Sequence, residues 1–127
     1  MFVGAAFWAA PRGNIPAEER PVTDDDRPLV VRELNDAVLT LTLNRGERFN
    51  PLSFAMIEAL DAALSAAARD PSIRAVVLAA SGRGFSAGHD LKEMRAHAGD
   101  DAWQRSLFDA CGRMMMRVTE LPQPVKS

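Results

Sequence analysis

The 127-residue chain is long enough for one domain with a buried core and too short for two ordinary ones. Its 15 basic and 17 acidic residues give a net charge of -2, which offers no electrostatic basis for binding nucleic acid or an anionic membrane. A composition that is 47% hydrophobic with one cysteine indicates a globular protein of a reducing compartment, without an internal disulfide. We therefore predict a cytoplasmic location, with the mitochondrial matrix as the alternative.

Residues 1–28 are predicted to form a flexible N-terminal extension outside the folded domain of residues 29–127. From residue 11 onward the extension is rich in proline and charge, and it includes the acidic run Asp24–Asp26. The first residues have the apolar character of a signal-peptide core, but no basic residue follows Met1. Two glutamates and a scarcity of serine argue against a mitochondrial transit peptide.

The first half of the domain is predicted to contain two strands and a helix. Leu29–Glu33 is predicted as a strand, with a hairpin turn at Asn35–Asp36. Val38–Leu43 alternates apolar and polar residues, which is typical of a half-buried strand. Asn50 or Ser53 is predicted to cap the helix that follows, which runs to about residue 69. Its apolar residues recur at helical spacing and predict one buried stripe: Met56, Ile57, Leu60, Leu64 and Ala67.

The second half is predicted to add a strand, a loop and two further helices. Ala75–Ala80 is an unbroken apolar run, as in a strand buried on both faces. A long helix is predicted from about Asp101 to Glu120, and Val125 begins another strand. The inner face of this helix is assigned to Trp103, Leu107, Cys111, Met114 or Met115, and Val118. The order of strands and helices is that of an α/β fold.

The stretch Ser81–Met94, SGRGFSAGHDLKEM, is predicted to be the site of chemistry, because its glycines let the backbone approach a ligand closely. Asp90 stands three residues before Glu93, the spacing of a capping box that starts a helix. Within the stretch, Gly84–Gly88 also matches the G-x-S-x-G pattern of serine hydrolases, with Ser86 as nucleophile. The helix cap falls too late for that elbow, and His97 is the one histidine downstream, so the serine hydrolase is the weaker alternative.

The second interpretation treats this loop as a donor of backbone N–H groups to an oxyanion. The chain resembles the crotonase, or enoyl-CoA hydratase/isomerase, family from about Leu29 to Val125. The residues that carry the resemblance are Leu43–Arg45 with Asn50, Ala75–Leu78, Gly84–Leu91 and Leu121–Val125.

This resemblance implies an α/β fold of crotonase-like ββα units and a site for acyl-coenzyme A thioesters. In the family, two backbone N–H groups bind the thioester oxygen and stabilise an enolate. By position, the first donor is the backbone N–H of His89. The implied substrate contacts are Ala87, Gly88, Asp90, Leu91, Arg48 and Phe49. Neither a cofactor nor a metal is implied, because coenzyme A is part of the substrate, and full-length members are expected to be homotrimers or hexamers.

The sequence also departs from the family pattern. His89 replaces a residue that is commonly small, and Pro51 stands where alanine is usual. In full-length members the second oxyanion glycine and the acidic residues lie beyond the position of Val125, so the chain looks truncated and is expected to be inactive alone. A non-catalytic acyl-CoA-binding or interaction remnant is the alternative.

Several side chains are expected to have no role in chemistry. The imidazole of His89 is expected to face solvent, and His97 to lie on the helix surface. Cys111 and the methionines from Met114 to Met116 are expected in the core, although the methionines could instead wall an acyl pocket. The basic side chains of Arg45, Arg48 and Lys92 are expected to be solvated, although Lys92 or an arginine could meet a phosphate of coenzyme A.

Overall fold

A four-stranded sheet organises the chain. The computed structural model describes residues 26–127. Strand β1 (Val30–Asn35) pairs antiparallel with β2 (Val38–Leu43), which pairs in parallel with β3 (Ala75–Ala80). Strand β4 (Val125–Lys126) then pairs in parallel with β3, so the strands lie in the sheet in their chain order. The predicted α/β class is confirmed.

The hairpin between β1 and β2 turns one residue later than predicted. Asn35 still pairs with Val38, and the two turn residues are Asp36 and Ala37, with φ of 50° and 69°. Two positive φ angles in succession are the mark of a type I′ turn, whose twist matches that of the strands it joins. The first strand consequently extends to Asn35 rather than ending at Glu33.

Three α-helices and one 3-10 helix complete the described part of the chain. Helix α1 is Phe54–Ala68, α2 is Leu91–Ala96 and α3 is Asp101–Glu120, while Gly46–Arg48 forms the 3-10 helix. Ser53, and not Asn50, caps α1, because its Oγ accepts a hydrogen bond from the Met56 N–H. Within residues 26–127, no helix combines the length and apolarity that a bilayer crossing needs.

The apolar core lies between one face of the sheet and helices α1 and α3. All five residues of the predicted α1 stripe are buried, which confirms the helical pattern. The buried core residues are Leu39, Leu41, Leu43, Met56, Ile57, Leu60, Leu64, Ala67, Ile73, Val76, Leu107, Ala110 and Met114. The prediction that β3 is buried on both faces is wrong for the described residues, since Val76 alone among its residues is fully buried.

Helix α3 packs against the core along the predicted face. Leu107 is buried there, and Trp103 and Val118 are partly buried against the core. Met114 is buried, whereas Met115 and Met116 are more than half exposed, so the run of methionines is not a core element throughout. Cys111 is partly buried and packs against the core, in agreement with its expected place. Beyond the helix, the buried Gln123 side chain donates hydrogen bonds to two backbone carbonyls and so joins the end of α1 to the start of β3.

The last residues of the predicted extension contact the domain. Arg45 donates hydrogen bonds to the carbonyls of Arg27 and Pro28, at 2.8 and 3.2 Å. Its side chain is buried, so the expectation that Arg45 is solvated is wrong. The remainder of the predicted flexible extension, residues 1–25, lies outside the described residues.

Candidate functional site

Two loops leave the carboxyl ends of neighbouring parallel strands and meet at one edge of the sheet. The first loop, residues 44–53, follows β2, and the second loop, residues 81–90, follows β3. The Ser81 N–H donates to the Leu43 carbonyl at 2.9 Å where the loops begin, and a β-bridge pairs Leu52 with His89 where they end. The carboxyl edge of parallel strands is where ligands bind in open α/β sheets.

Asn50 fastens the two loops together from a fully buried position. Its Nδ2 donates to the carbonyls of Ser81 and Phe85, at 2.9 and 3.0 Å. Its Oδ1 accepts from the Arg45 N–H at 2.7 Å. The side chain is 0% exposed, so each of these bonds satisfies a group that water does not reach. The sequence predicts Asn50 or Ser53 as the cap of α1, whereas in the structure Asn50 joins the two loops.

Two glycines allow the loops to approach each other. A Cβ atom on Gly46 would lie 2.6 Å from the Ser81 carbonyl, and one on Gly82 would lie 2.7 Å from the Gly46 Cα. Gly82 also has a φ of +83°, which side-chain-bearing residues rarely adopt. The close approach of backbone that the glycines predicted therefore occurs first between the loops themselves.

Successive backbone groups of the second loop are hydrogen-bonded, either to the first loop or to Ser86 of the same loop. The Ala87 N–H donates to the Phe49 carbonyl at 2.8 Å. The Gly88 N–H donates to the Ser86 Oγ at 3.1 Å, and the Gly88 carbonyl accepts from the Leu52 N–H at 2.8 Å. Both sides of Gly88 are thus held, while its φ of +92° turns the chain between them.

The backbone N–H of His89 comes next, and it forms no hydrogen bond with any residue of the described 26–127 stretch. Its direction follows from its neighbours. In a planar trans peptide the C=O and N–H point in opposite directions, and the Gly88 carbonyl points at Leu52. The His89 N–H therefore points away from Leu52, and the Leu52–Gly88 hydrogen bond holds it in that direction.

The His89 side chain does not face solvent as expected. It is half-buried, and its ring meets that of Phe108 on α3 edge to face, with 5.5 Å between the centroids. Its Nδ1 is inaccessible to solvent and has no hydrogen-bond partner among the described residues. His97 also differs from expectation, because it ends α2 with its ring stacked on that of Trp103 at 3.9 Å.

The predicted capping box is half correct. The Asp90 Oδ1 accepts from the Glu93 N–H at 3.1 Å and so caps α2. The carboxylate of Glu93 does not return to Asp90; it accepts from the Phe54 N–H at 2.9 Å, at the first residue of α1. A negative charge there is favourable, because it meets an unpaired N–H and the positive end of the helix dipole.

The seven predicted site residues all lie on or beside the two loops. Phe49 and Ala87 are joined directly by their backbone hydrogen bond, and Gly88, His89 and Asp90 follow in the second loop. Leu91 is 69% exposed on the first turn of α2. Arg48 is exposed on the 3-10 helix beside Phe49.

The serine hydrolase interpretation finds no geometric support. The Ser86 hydroxyl donates to the Asn50 carbonyl at 2.8 Å and accepts from Gly88, and no hydrogen bond joins it to a histidine among residues 26–127. A nucleophilic serine needs a base within hydrogen-bond reach. In the same stretch, no group of three or more His, Cys, Asp or Glu side chains is placed to hold a metal ion.

Two groups outside the loops have shifted pKa values. Hydrogen bonds from Ser72 lower the pKa of Asp70 in the turn that precedes β3, at the opposite end of that strand. The hydrogen bond from Arg117 to Asp61, between α3 and α1, raises the pKa of Arg117.

Residues 38–127 match the profile of the enoyl-CoA hydratase/isomerase family. The chain belongs to this family. The resemblance to crotonases predicted from the sequence is thereby confirmed, and so is the crotonase-like fold.

Solved structures and curated proteins of the enoyl-CoA hydratase/isomerase family are similar over most of the chain. An enoyl-CoA hydratase from Mycobacterium smegmatis is 49% identical with a TM-score of 0.74, over 78% of this chain and 38% of that one. The mitochondrial enoyl-CoA hydratase domain-containing protein 3 of Xenopus laevis is 35% identical over 77% of this chain and 33% of its own length. The 1,2-epoxyphenylacetyl-CoA isomerase of Escherichia coli K12 is 34% identical over 76% and 37%. The chain thus spans little more than a third of these relatives.

Sequence reasoning located the second loop but missed what holds it. The roles of Asn50 and of the Ser86 hydroxyl, and the burial of Arg45, depend on contacts between residues about 20 to 40 positions apart. One local signal was present for Asn50: an asparagine tolerates the left-handed conformation, and Asn50 has a φ of +49°. Nothing in the local sequence indicated that the Glu93 carboxylate would serve another helix.

Proposed function

We propose that the second loop supplies one donor of an oxyanion site for acyl-coenzyme A thioesters, and that the donor is the His89 backbone N–H. The proposal rests on three consecutive backbone N–H groups, which differ in whether they are hydrogen-bonded. Those of Ala87 and Gly88 are used within the loops, while that of His89 is oriented and unpaired among the described residues. Family membership and similarity to a hydratase and an isomerase support the thioester substrate.

The chemistry required of such a donor is electrostatic. When the carbon next to a thioester carbonyl gains or loses a proton, negative charge develops on the carbonyl oxygen. A backbone N–H fixed before reaction stabilises this charge without reorganising, and losing one such donor typically costs about 10²–10³ in rate. The bonds on both sides of Gly88 provide that fixation. The His89 N–H is therefore better suited to stabilising an enolate than a freely rotating side-chain donor would be.

The remaining groups of the reaction are proposed to lie outside residues 38–127, in the part of the fold that the relatives possess and this stretch does not cover. A thioester oxygen is held by two donors in this type of site, and the described loops contribute one candidate. Ala87, Gly88, Asp90, Leu91, Arg48 and Phe49 are proposed as substrate contacts. We further propose that no cofactor is needed, that the full-length protein is a trimer or hexamer, and that residues 1–127 alone turn over poorly.

The location is proposed from the relatives. The Xenopus protein is named as mitochondrial, which favours the mitochondrial matrix over the cytoplasm predicted from the sequence. Fractionation of cells that express the full-length protein would decide between the two compartments.

The test of the proposed donor compares two glycines in the full-length protein. Gly88 and Gly99 have φ of +92° and +85°, and a Cβ on either would meet open space, but Gly99 lies between α2 and α3. Gly88→Val is expected to lower kcat for hydration of a short 2-enoyl-CoA by about 10²-fold or more, because it redirects the His89 N–H. Gly99→Val introduces the same backbone strain away from the loops and is expected to leave kcat within about threefold.

His89→Ala separates the backbone from the imidazole, since it retains the N–H and removes the ring. A loss of kcat much smaller than that of Gly88→Val supports the backbone donor. If His89→Ala lost as much activity as Gly88→Val, the imidazole would be acting as acid or base and the proposal would be wrong. Isothermal titration with a non-reactive acyl-CoA thioether gives the substrate class independently, because failure to bind it would exclude a thioester site.

A further inference from the structure

We infer that Ser86 is a positioning residue for the oxyanion donor, an inference that rests on the proposed function. Its hydroxyl bridges two backbone groups of different loops. It donates to the Asn50 carbonyl at 2.8 Å and accepts from the Gly88 N–H at 3.1 Å. The residue that the G-x-S-x-G pattern marks as a nucleophile is thus engaged in holding the backbone that precedes His89.

The hydroxyl proton is committed to the Asn50 carbonyl. A serine hydroxyl has one hydrogen to donate, and here the acceptor is a backbone oxygen that cannot take the proton away. Its oxygen meanwhile accepts from Gly88. These two hydrogen bonds make the hydroxyl a fixed bridge. They do not make its oxygen a nucleophile, since no base among the described residues accepts its proton.

The bridge acts on the peptide that carries the donor through Gly88. Gly88 has no side chain to limit its rotation, and its φ of +92° lies in a region where glycine moves freely. Two bonds restrict it: its N–H is held by Ser86 and its carbonyl by Leu52. If the first bond is lost, Gly88 keeps one of its two restraints, and rotation about its φ and ψ lets the His89 N–H sample a wider range of directions.

The other end of the bridge is rigid. The Asn50 carbonyl belongs to a residue whose side chain is fully buried and bonded to Ser81, Phe85 and Arg45. The Ser86 hydroxyl therefore fixes the position of Gly88, in the second loop, relative to Asn50 in the first loop. Because the donor and the anchor lie on different loops, the hydroxyl contributes to geometry that neither loop could maintain alone.

The experiment compares three variants of the full-length protein: Ser86→Ala, Ser86→Thr and Ser72→Ala. Ser72 is the matched control, because its hydroxyl also forms a hydrogen bond, to Asp70, at the opposite end of β3. We expect Ser86→Ala to lower kcat about tenfold, less than the 10²–10³ for losing a donor outright, with KM changed by less than about threefold. Ser86→Thr restores the hydroxyl and is expected to recover most of kcat, and Ser72→Ala is expected to match the parent.

Amide hydrogen exchange at Gly88 provides a readout that does not require turnover. Ser86→Ala should accelerate exchange there, while Ser86→Thr and Ser72→Ala should not. An unchanged kcat, unchanged exchange, or failure of threonine to restore either would overturn the inference. So would an acyl adduct on Ser86 detected by mass spectrometry, which would make the serine a nucleophile. If the parent neither binds nor hydrates acyl-CoA, the proposed function fails and the positioning role for it falls too, while exchange still reports whether the bridge forms.

Discussion

The core and the loop pair are held together by different physical means. The core between the sheet and helices α1 and α3 is apolar, and the buried members that α3 contributes are Leu107, Ala110 and Met114. The two loops have almost no buried apolar side chains and are joined by hydrogen bonds among backbone groups, Asn50, Ser81 and Ser86. Apolar packing is non-directional, whereas hydrogen bonds fix angles. The directional bonds are thus concentrated in the two loops, where the proposed donor lies.

The difference predicts that substitutions in the two regions fail in different ways. A hole in the core lowers the free energy of unfolding but leaves the loop bonds intact in molecules that stay folded. A lost hydrogen bond in the loops should reduce activity by more than its effect on stability suggests, because a small misplacement of a catalytic group can cost about 10²-fold.

The largest stability effect is expected in the core. Leu41 is fully buried in the central strand β2, so Leu41→Ala should lower the free energy of unfolding by about 2–5 kcal/mol. Val31→Ala on the edge strand β1 is the control, because Val31 is 36% exposed and should cost much less. Urea denaturation of the full-length proteins measures both, and comparable losses would mean that Leu41 does not lie in the core described.

Asn50→Ala tests the strongest fastening of the loops. It leaves the Arg45 N–H and the Ser81 and Phe85 carbonyls without their partner, and we expect a loss of about 3 kcal/mol. Activity should fall further than this stability loss accounts for under conditions where the variant is folded. Asn35→Ala, at an exposed position in β1, should change neither quantity. A stable, fully active Asn50→Ala variant would contradict the comparison of the two regions.

Gly82→Ala and Gly99→Ala separate backbone strain from contact between the loops. Both glycines have positive φ, but a Cβ on Gly82 would meet Gly46 at 2.7 Å, whereas one on Gly99 meets open space. Gly99→Ala should cost about 1 kcal/mol from conformation alone, and Gly82→Ala about 2 kcal/mol or more. Equal losses in thermal denaturation would show that the loops adjust to the added methyl group.

The smallest effect concerns pH and lies outside both regions. The pKa of Asp70 is below its ordinary value of 3.8, first because the Ser72 hydroxyl donates to it. A lowered folded pKa stabilises the protein above the unfolded pKa, and the contribution is lost as the pH falls through the folded value. Ser72→Ala should therefore raise the Asp70 pKa and destabilise slightly at neutral pH, with no difference in strong acid. NMR titration of the Asp70 carboxyl measures the shift, and an unchanged pKa would contradict it.

Local sequence patterns predicted the strands and helices because the patterns, and the interactions that form these elements, both involve residues that are close together in the sequence. The stripe of α1 and the alternation of β2 record which face is apolar, and both were confirmed. The turn at Asp36–Ala37 and the exposure of β3 were predicted incorrectly, since they depend on register and on what covers the sheet. The predicted roles of the site residues stay predictions, although their positions beside one another follow from the parallel pairing of β2 and β3.

The bonds of the loop pair could not have been predicted from local patterns. Asn50 and Phe85 are 35 positions apart, and the sequence gives no measure of the angle at which their loops meet. Arg45 shows the same limit: a charged residue is normally exposed, yet here backbone carbonyls of Arg27, Pro28 and Asn44 satisfy its guanidinium. Which polar groups form hydrogen bonds with each other can be determined only from the folded structure, because the fold brings distant residues together.

The order of the strands has a consequence for the growing polypeptide. Because β1, β2, β3 and β4 are neighbours in space in the order in which they are translated, each new strand adds to an edge already present. The β1–β2 hairpin can close within microseconds, long before the ribosome supplies β3 at its rate of about 5–20 residues per second. Among residues 26–127, no strand has to be inserted between two that have already paired, so this sheet is expected to form by successive addition at one edge during synthesis.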